Sequence, residues 1–91
     1  MNLEWDENKR RGNLEKHGVD FIDAAKIFIN PVLEGVDDRR NYGEKRMVAV
    51  GVFEKDWFVV VYTMRGKNRR IISAWKAGKD EQREYHAALS G

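Results

Sequence analysis

Apolar residues change their spacing partway along the chain, which divides it into a helical part and a stranded part. Phe21, Ala24, Ala25 and Phe28 fall at i, i+3, i+4 and i+7, the buried stripe of a helix. Asp20 before them is an N-cap, Asp23 stands as in a shortened capping box, and Asn30-Pro31 ends the run. Upstream, Leu3–Trp5 reads as a short opening strand. Asp6 then caps a mostly polar helix, "DENKRRGNLEKH", with Glu7 in its first turn, Leu14 as its main apolar contact and Gly18 as its stop. Beyond Pro31 the period drops to two. "PVLEGVDD" is a weak strand leading into a polar loop. "RMVAVGVF" (Arg46–Phe53) and "WFVVVYTM" (Trp57–Met64) are strong strands joined by "EKD", and "RGKN" turns the chain into "RRIISAW". "KDEQREYHAALS" closes as a helix whose first turn holds Asp80 and Glu81, where carboxylates suit the helix dipole.

The order β-α-α-β-β-β-β-α, with later strands meandering through short turns, predicts an α+β fold. We expect a small antiparallel sheet with the two N-terminal helices and the C-terminal helix packed on one face. With 91 residues, one proline, no Gly/Ser-rich tract and no repeat, residues 1–91 are expected to form one domain.

Charge adds a polarity that the hydrophobic pattern lacks. The net charge is only +2. Residues 1–64 carry ten Lys/Arg against twelve Asp/Glu, whereas residues 65–91 carry seven against three. The C-terminal third therefore favours an anionic partner. The absence of cysteine excludes disulfides and thiolate chemistry. No apolar run approaches the ~20 residues of a membrane span, and "MNLEWDENKRRG" lacks the apolar segment of a signal peptide, so a cytoplasmic protein without membrane contact is expected.

Candidate chemistry narrows by elimination. His17 and His86 are far apart and have no companion at metal-ligand spacing, so no metal is expected. No glycine-rich phosphate loop links a strand to a helix, so no nucleotide cofactor is expected either. Ser73 and Ser90 lack a nucleophile-elbow context. What remains is Arg, Lys, Tyr, Glu and His, residue types that suffice to cleave RNA without a metal. The substrate's 2′-hydroxyl attacks the neighbouring phosphate. The protein supplies a base, an acid for the leaving 5′-oxygen, and fixed cations for the phosphate.

Strand alternation is expected to put Arg70, Ile72, Ala74 and Lys76 on one face and Arg69, Ile71, Ser73 and Trp75 on the other. Two readings of the cations between Arg65 and Lys76 stand together: an edge strand dressed for solubility, or a wall that holds a polyanion. Glu81 and Tyr85, four apart on the last helix, are likewise either core anchor and arginine partner, or members of a site. The loop "DDRRNYGEKR" is either a solvated turn or, through Tyr42 and Arg46, an aromatic platform and a cation suited to single-stranded nucleic acid.

Taken together, "EWDENKRRGNLEKHGVDF", "AAKIFINP", "DDRRNYGEKRMVAVG", "VVVYTMRG" and "RIISAWKAGKDEQREY" closely resemble the BrnT toxins of bacterial BrnT–BrnA toxin–antitoxin pairs, from Glu4 to Tyr85. The resemblance implies a RelE-like fold and a ribonuclease that suppresses translation. It also implies neutralisation by a BrnA-type antitoxin whose DNA-binding part brings the complex to its own operator. Residue by residue it maps catalytic roles onto Arg65, Arg70, Glu81 and Tyr85. Lys76, Arg69, Trp75, Tyr42 and Arg46 fall to substrate binding, with RNA as the substrate and no cofactor. Two positions depart from the family pattern. Trp75 replaces the arginine of "I-S-A-R-K", and Tyr42 stands where many relatives have histidine. A catalytically weak or inactive module that binds RNA or antitoxin is the alternative reading.

Overall fold

The computed structural model describes residues 2–89, so Ser90 lies outside the described residues. Strand β1 (Asn2–Trp5) leads into helix α1 (Glu7–His17). Helix α2 (Phe21–Ala24) continues as a 3-10 turn over Ala25–Ile29. Strands β2 (Leu33–Val36), β3 (Met47–Phe53), β4 (Asp56–Arg65) and β5 (Asn68–Lys76) follow, then helix α3 (Lys79–Leu89). Among these residues the strands form one sheet in the order β1-β5-β4-β3-β2.

The α+β class stands, with two corrections to the arrangement expected from sequence. Strands β2 to β5 are antiparallel, but β1 runs parallel to β5, pairing Glu4 with Arg70 and Trp5 with Ile71. The meander argument covers only strands joined by hairpins, and β1 is separated from β5 by all the intervening chain. The helices also occupy both faces rather than one. Ala49, Phe58, Val60, Tyr62, Ile71 and Ala74 pack under α2 and its 3-10 extension, while Val48, Val50, Val59, Trp57 and Trp75 gather with Tyr85 of α3 on the opposite face. The apolar runs of β3 and β4 are continuous, so both of their faces require cover.

The 3-10 turn alters the buried stripe. Phe21, Ala24 and Ile27 are buried at a spacing of three, whereas Phe28 is only half-buried, because a 3-10 turn has three residues per turn rather than 3.6. Gly51 belongs to this contact: a Cβ there would lie 2.8 Å from Ile27 Cβ, so only glycine lets the turn seat on β3.

Helix α1 docks through a polar residue. Leu14 is 44% exposed, and Asn13 is buried in its place. β1 ends at its pairing with Ile71, which leaves the outer edge of β5 open beyond that point. The Asn13 amide closes it, with Nδ2 donating to the Ala74 carbonyl at 2.8 Å and Oδ1 accepting the Ala74 N–H at 3.1 Å. Nδ2 also donates to the Val19 carbonyl at 2.9 Å. The caps follow the sequence: Asp6 accepts from the amides of Asn8 and Lys9, and Gly18 ends the helix with φ 68°.

Candidate functional site

The faces of β5 are set by a bulge. Val61 pairs with Ser73 but Tyr62 pairs with Ile71, so Ile72 is an extra residue and the alternation reverses across it. The expected split of faces is corrected accordingly. Arg70, Ser73 and Trp75 share the α3 face, while Arg69, Ile71, Ala74 and Lys76 share the α1/α2 face. Regular alternation would have placed Arg70 and Trp75 on opposite sides.

On the α3 face Trp75 forms one wall of an open cleft of about 480 Å³. Lys16 and His17 enter it from the last turn of α1, Ser73 from β5, and Arg39, Tyr42 and Arg46 from the β2–β3 loop. The His17 ring centroid lies 6.0 Å from that of Trp75, and the Arg39 guanidinium carbon lies 6.0 Å over the same indole. The Asn13 clamp four residues back fixes where His17 emerges.

The loop that supplies the cations is braced internally. The Asp37 amide donates to the Arg46 carbonyl at 2.8 Å and closes its base. Arg39 meets the buried Asp37 carboxylate with Nε and Nη2, each at 2.8 Å, a fork that fixes the guanidinium plane. Those bonds hold the Asp37 pKa down at about 2, with a backbone amide and the Tyr42 hydroxyl adding to the effect. Arg46 stacks 4.0 Å over Tyr42. Glu44 then bridges outward, to Arg46 Nε at 3.1 Å and to Arg65 at 3.8 Å.

The residues singled out from sequence divide among several places. Trp75, Tyr42 and Arg46 meet in the cleft. Arg65 and Arg70 lie on the same face but toward the β4–β5 hairpin, Arg70 paired with Glu4 at 2.8 Å and Arg65 reaching Glu44. The Arg70 bond holds the Glu4 pKa below its usual value. Arg69 lies on the other side of the sheet, 3.7 Å over Phe28 and 4.6 Å over Tyr62, and Lys76 is on that side as well. Neither shares a surface with Trp75. Glu81 lines a groove adjoining the cleft, with Oε1 accepting the Gly78 amide at 2.8 Å. Tyr85 packs edge-on to Trp57 at 5.1 Å and donates its hydroxyl to the Pro31 carbonyl at 2.8 Å.

Arg65, Arg70, Glu81 and Tyr85 therefore do not form one cluster. Trp57 stands eight residues before Arg65 on β4, a separation of about 25 Å at strand rise, which no arginine side chain spans. His17, Lys16 and Arg39 were missed as site residues. His17 reads locally as a capping residue before glycine, and only the docking of α1 on β5 carries it to Trp75. Arg39 sits in the mixed-charge loop that had drawn attention to Tyr42 and Arg46, and it was the signal available there.

Residues 5–81 match the family described as the ribonuclease toxin BrnT of type II toxin–antitoxin systems. The chain is also similar to the Brucella abortus ribonuclease toxin BrnT, solved at 1.1 Å resolution, with 29% identity and a TM-score of 0.65 over 87% of this chain and 99% of that one. No curated protein sequence matches the chain.

Proposed function

The chain belongs to the BrnT family of ribonuclease toxins of type II toxin–antitoxin systems, and from that premise we propose that it cleaves RNA without a metal, in the cleft between Trp75 and the β2–β3 loop. The observation that carries this reading is the convergence of His17 and Arg39 on Trp75, in a cleft that Lys16 and Arg46 also line. A base stacks on Trp75 or Tyr42, at roughly 1–3 kcal/mol per stacked base. His17 takes the proton of the 2′-hydroxyl, the 2′-oxygen bonds to phosphorus, and the bond from phosphorus to the 5′-oxygen breaks as solvent water protonates that oxygen. The products are a 2′,3′-cyclic phosphate and a 5′-hydroxyl. Arg39, locked in plane by Asp37, and Arg46 stabilise the charged phosphorane. Arg39 thus restores beside the indole the guanidinium that Trp75 displaces from the usual family sequence. Arg65 and Arg70 hold flanking phosphates along the same face. In this reading Glu81 and Tyr85 support the α3 side of the face rather than the reaction.

Acting in the cytoplasm, such a nuclease suppresses translation until a BrnA-type antitoxin neutralises it and carries the complex to operator DNA. No helix among the described residues is long and apolar enough to cross a membrane. The test is cleavage of end-labelled RNA by purified, antitoxin-free protein, with and without chelator and with ribosomes in parallel. Chelator-resistant fragments ending in 2′,3′-cyclic phosphate are expected. Intact RNA in every tube from folded protein would overturn the reading and leave a module that binds without cutting.

A further inference from the structure

Beside the cleft, the α3 face carries a second groove of about 440 Å³ with the opposite chemistry. Val48, Val50 and Val59 make its floor, Asp38 and Glu84 stand at its rim, and Val36 forms its outer lip, 54% exposed on the last strand of the sheet. Trp75 and Arg39 line both hollows. RNA suits this groove poorly: Asp37, Asp38, Glu81 and Glu84 line it against the single cation of Arg39, and carboxylates repel phosphate. A polypeptide with apolar side chains flanked by Lys or Arg matches floor and rim together.

Resting on the toxin reading above, we infer that this groove seats the antitoxin. A segment of the antitoxin lies in the groove, with its apolar side chains on the valine floor and its basic ones at Asp38 and Glu84. Its path then crosses Trp75 and Arg39. Since those residues also wall the RNA cleft, a seated antitoxin closes the cleft without entering it, and neutralisation is steric.

The experiment compares wild type with two exposed-site variants, D38K/E84K and V36E, each checked for folding by circular dichroism. A BrnA-type antitoxin, purified separately, is titrated into each protein, and RNA cleavage is measured with and without it. We expect tight binding by wild type and at least about tenfold weaker binding by each variant. Both variants should cut RNA at the wild-type rate and stay active in antitoxin concentrations that silence wild type. Variants that bind within twofold of wild type overturn the groove assignment alone. Variants that lose cleavage while keeping antitoxin affinity assign the groove to RNA and overturn it too. If wild type itself fails to bind, the partner reading falls and the groove falls with it.

Discussion

Two hollows lie side by side on one face of the sheet and share Trp75 and Arg39, yet they are built from different parts of the chain. The cationic one is assembled from ends and loops: the last turn of α1, the braced β2–β3 loop and the bulged stretch of β5. The apolar one is floored by regular strand, with valines at alternate positions of β3 and β4, and rimmed by α3 and the loop start. On the functions proposed above, the difference keeps a reactive surface and an adhesive one apart. Side chains that must converge on a reacting atom come from element ends, where direction is adjustable and bracing bonds can fix it. A surface that must bury a partner's apolar residues uses the flat, rigid interior of a sheet. Placing them edge to edge lets one partner govern the other site.

The sharpest way to break the comparison is to remove the proton-transfer group from the cationic side. His17→Gln should lower RNA cleavage by roughly 10²- to 10⁴-fold, the usual contribution of a positioned acid or base. Antitoxin affinity and melting temperature should stay at wild-type values. Facing the His17 imidazole are Lys16 on its own helix, Asp37, Arg39, Tyr42 and Arg46 from the loop, and Ser73 on β5. A wild-type rate would remove His17 from the chemistry.

The next largest effect tests whether the cleft depends on how α1 is seated. Asn13→Ala leaves the Ala74 N–H and carbonyl on the open edge of β5 without their amide partner. A stability loss of about 2–3 kcal/mol is expected from denaturant unfolding, since each buried polar group stripped of its partner costs roughly 1–3 kcal/mol. Cleavage should fall even where the protein remains folded, while antitoxin binding to the strand-floored groove persists. Equal losses in both functions would show that the two hollows are one mechanical unit.

How much of this was legible in the sequence follows the same division. The strands, the caps at Asp6, Asp20 and Gly18, and the α+β class were readable because each rests on local spacing or on one residue's backbone preference. The parallel pairing of β1 was not readable, since nothing near Leu3 encodes the direction of a strand it meets some 66 residues later. The Ile72 bulge was hidden for a related reason. It is a property of the register between two strands, and it moved Arg70 onto the face of Trp75. Asn13 reads as an ordinary polar position until the edge it caps is known. Of the cleft, Tyr42 and Arg46 were readable from residue type, and Trp75 only as a departure from the family pattern. His17 and Arg39 required the fold.

A smaller effect distinguishes the shared wall from the two floors. Trp75→Ala should weaken binding of single-stranded RNA by roughly 5- to 150-fold, the equivalent of one lost stacking contact of about 1–3 kcal/mol. Because Trp75 lines both hollows, antitoxin affinity should fall as well. Fluorescence anisotropy of labelled RNA and antitoxin titration on the same preparation give both numbers. A loss confined to RNA would mean that the antitoxin segment stops short of the indole.

The smallest effect concerns the brace behind Arg39. The Asp37 pKa is depressed to about 2 in the folded protein against an ordinary 3.8, chiefly by the Arg39 fork. A depressed carboxylate contributes its stability fully above the unfolded value and loses it as pH falls through the folded value. Asp37→Asn should therefore melt below wild type at pH 7. The gap should be modest, under about 1 kcal/mol, because Arg39 is 64% exposed and water screens the pair. It should narrow from about pH 4 and close near pH 2, where the wild-type carboxyl also becomes neutral. Melting curves of both proteins across pH 7 to 2 measure it. A gap that stays constant to pH 2 would mean that the fork does not hold the charge, and that Arg39 reaches the cleft without the rigidity its place beside Trp75 requires.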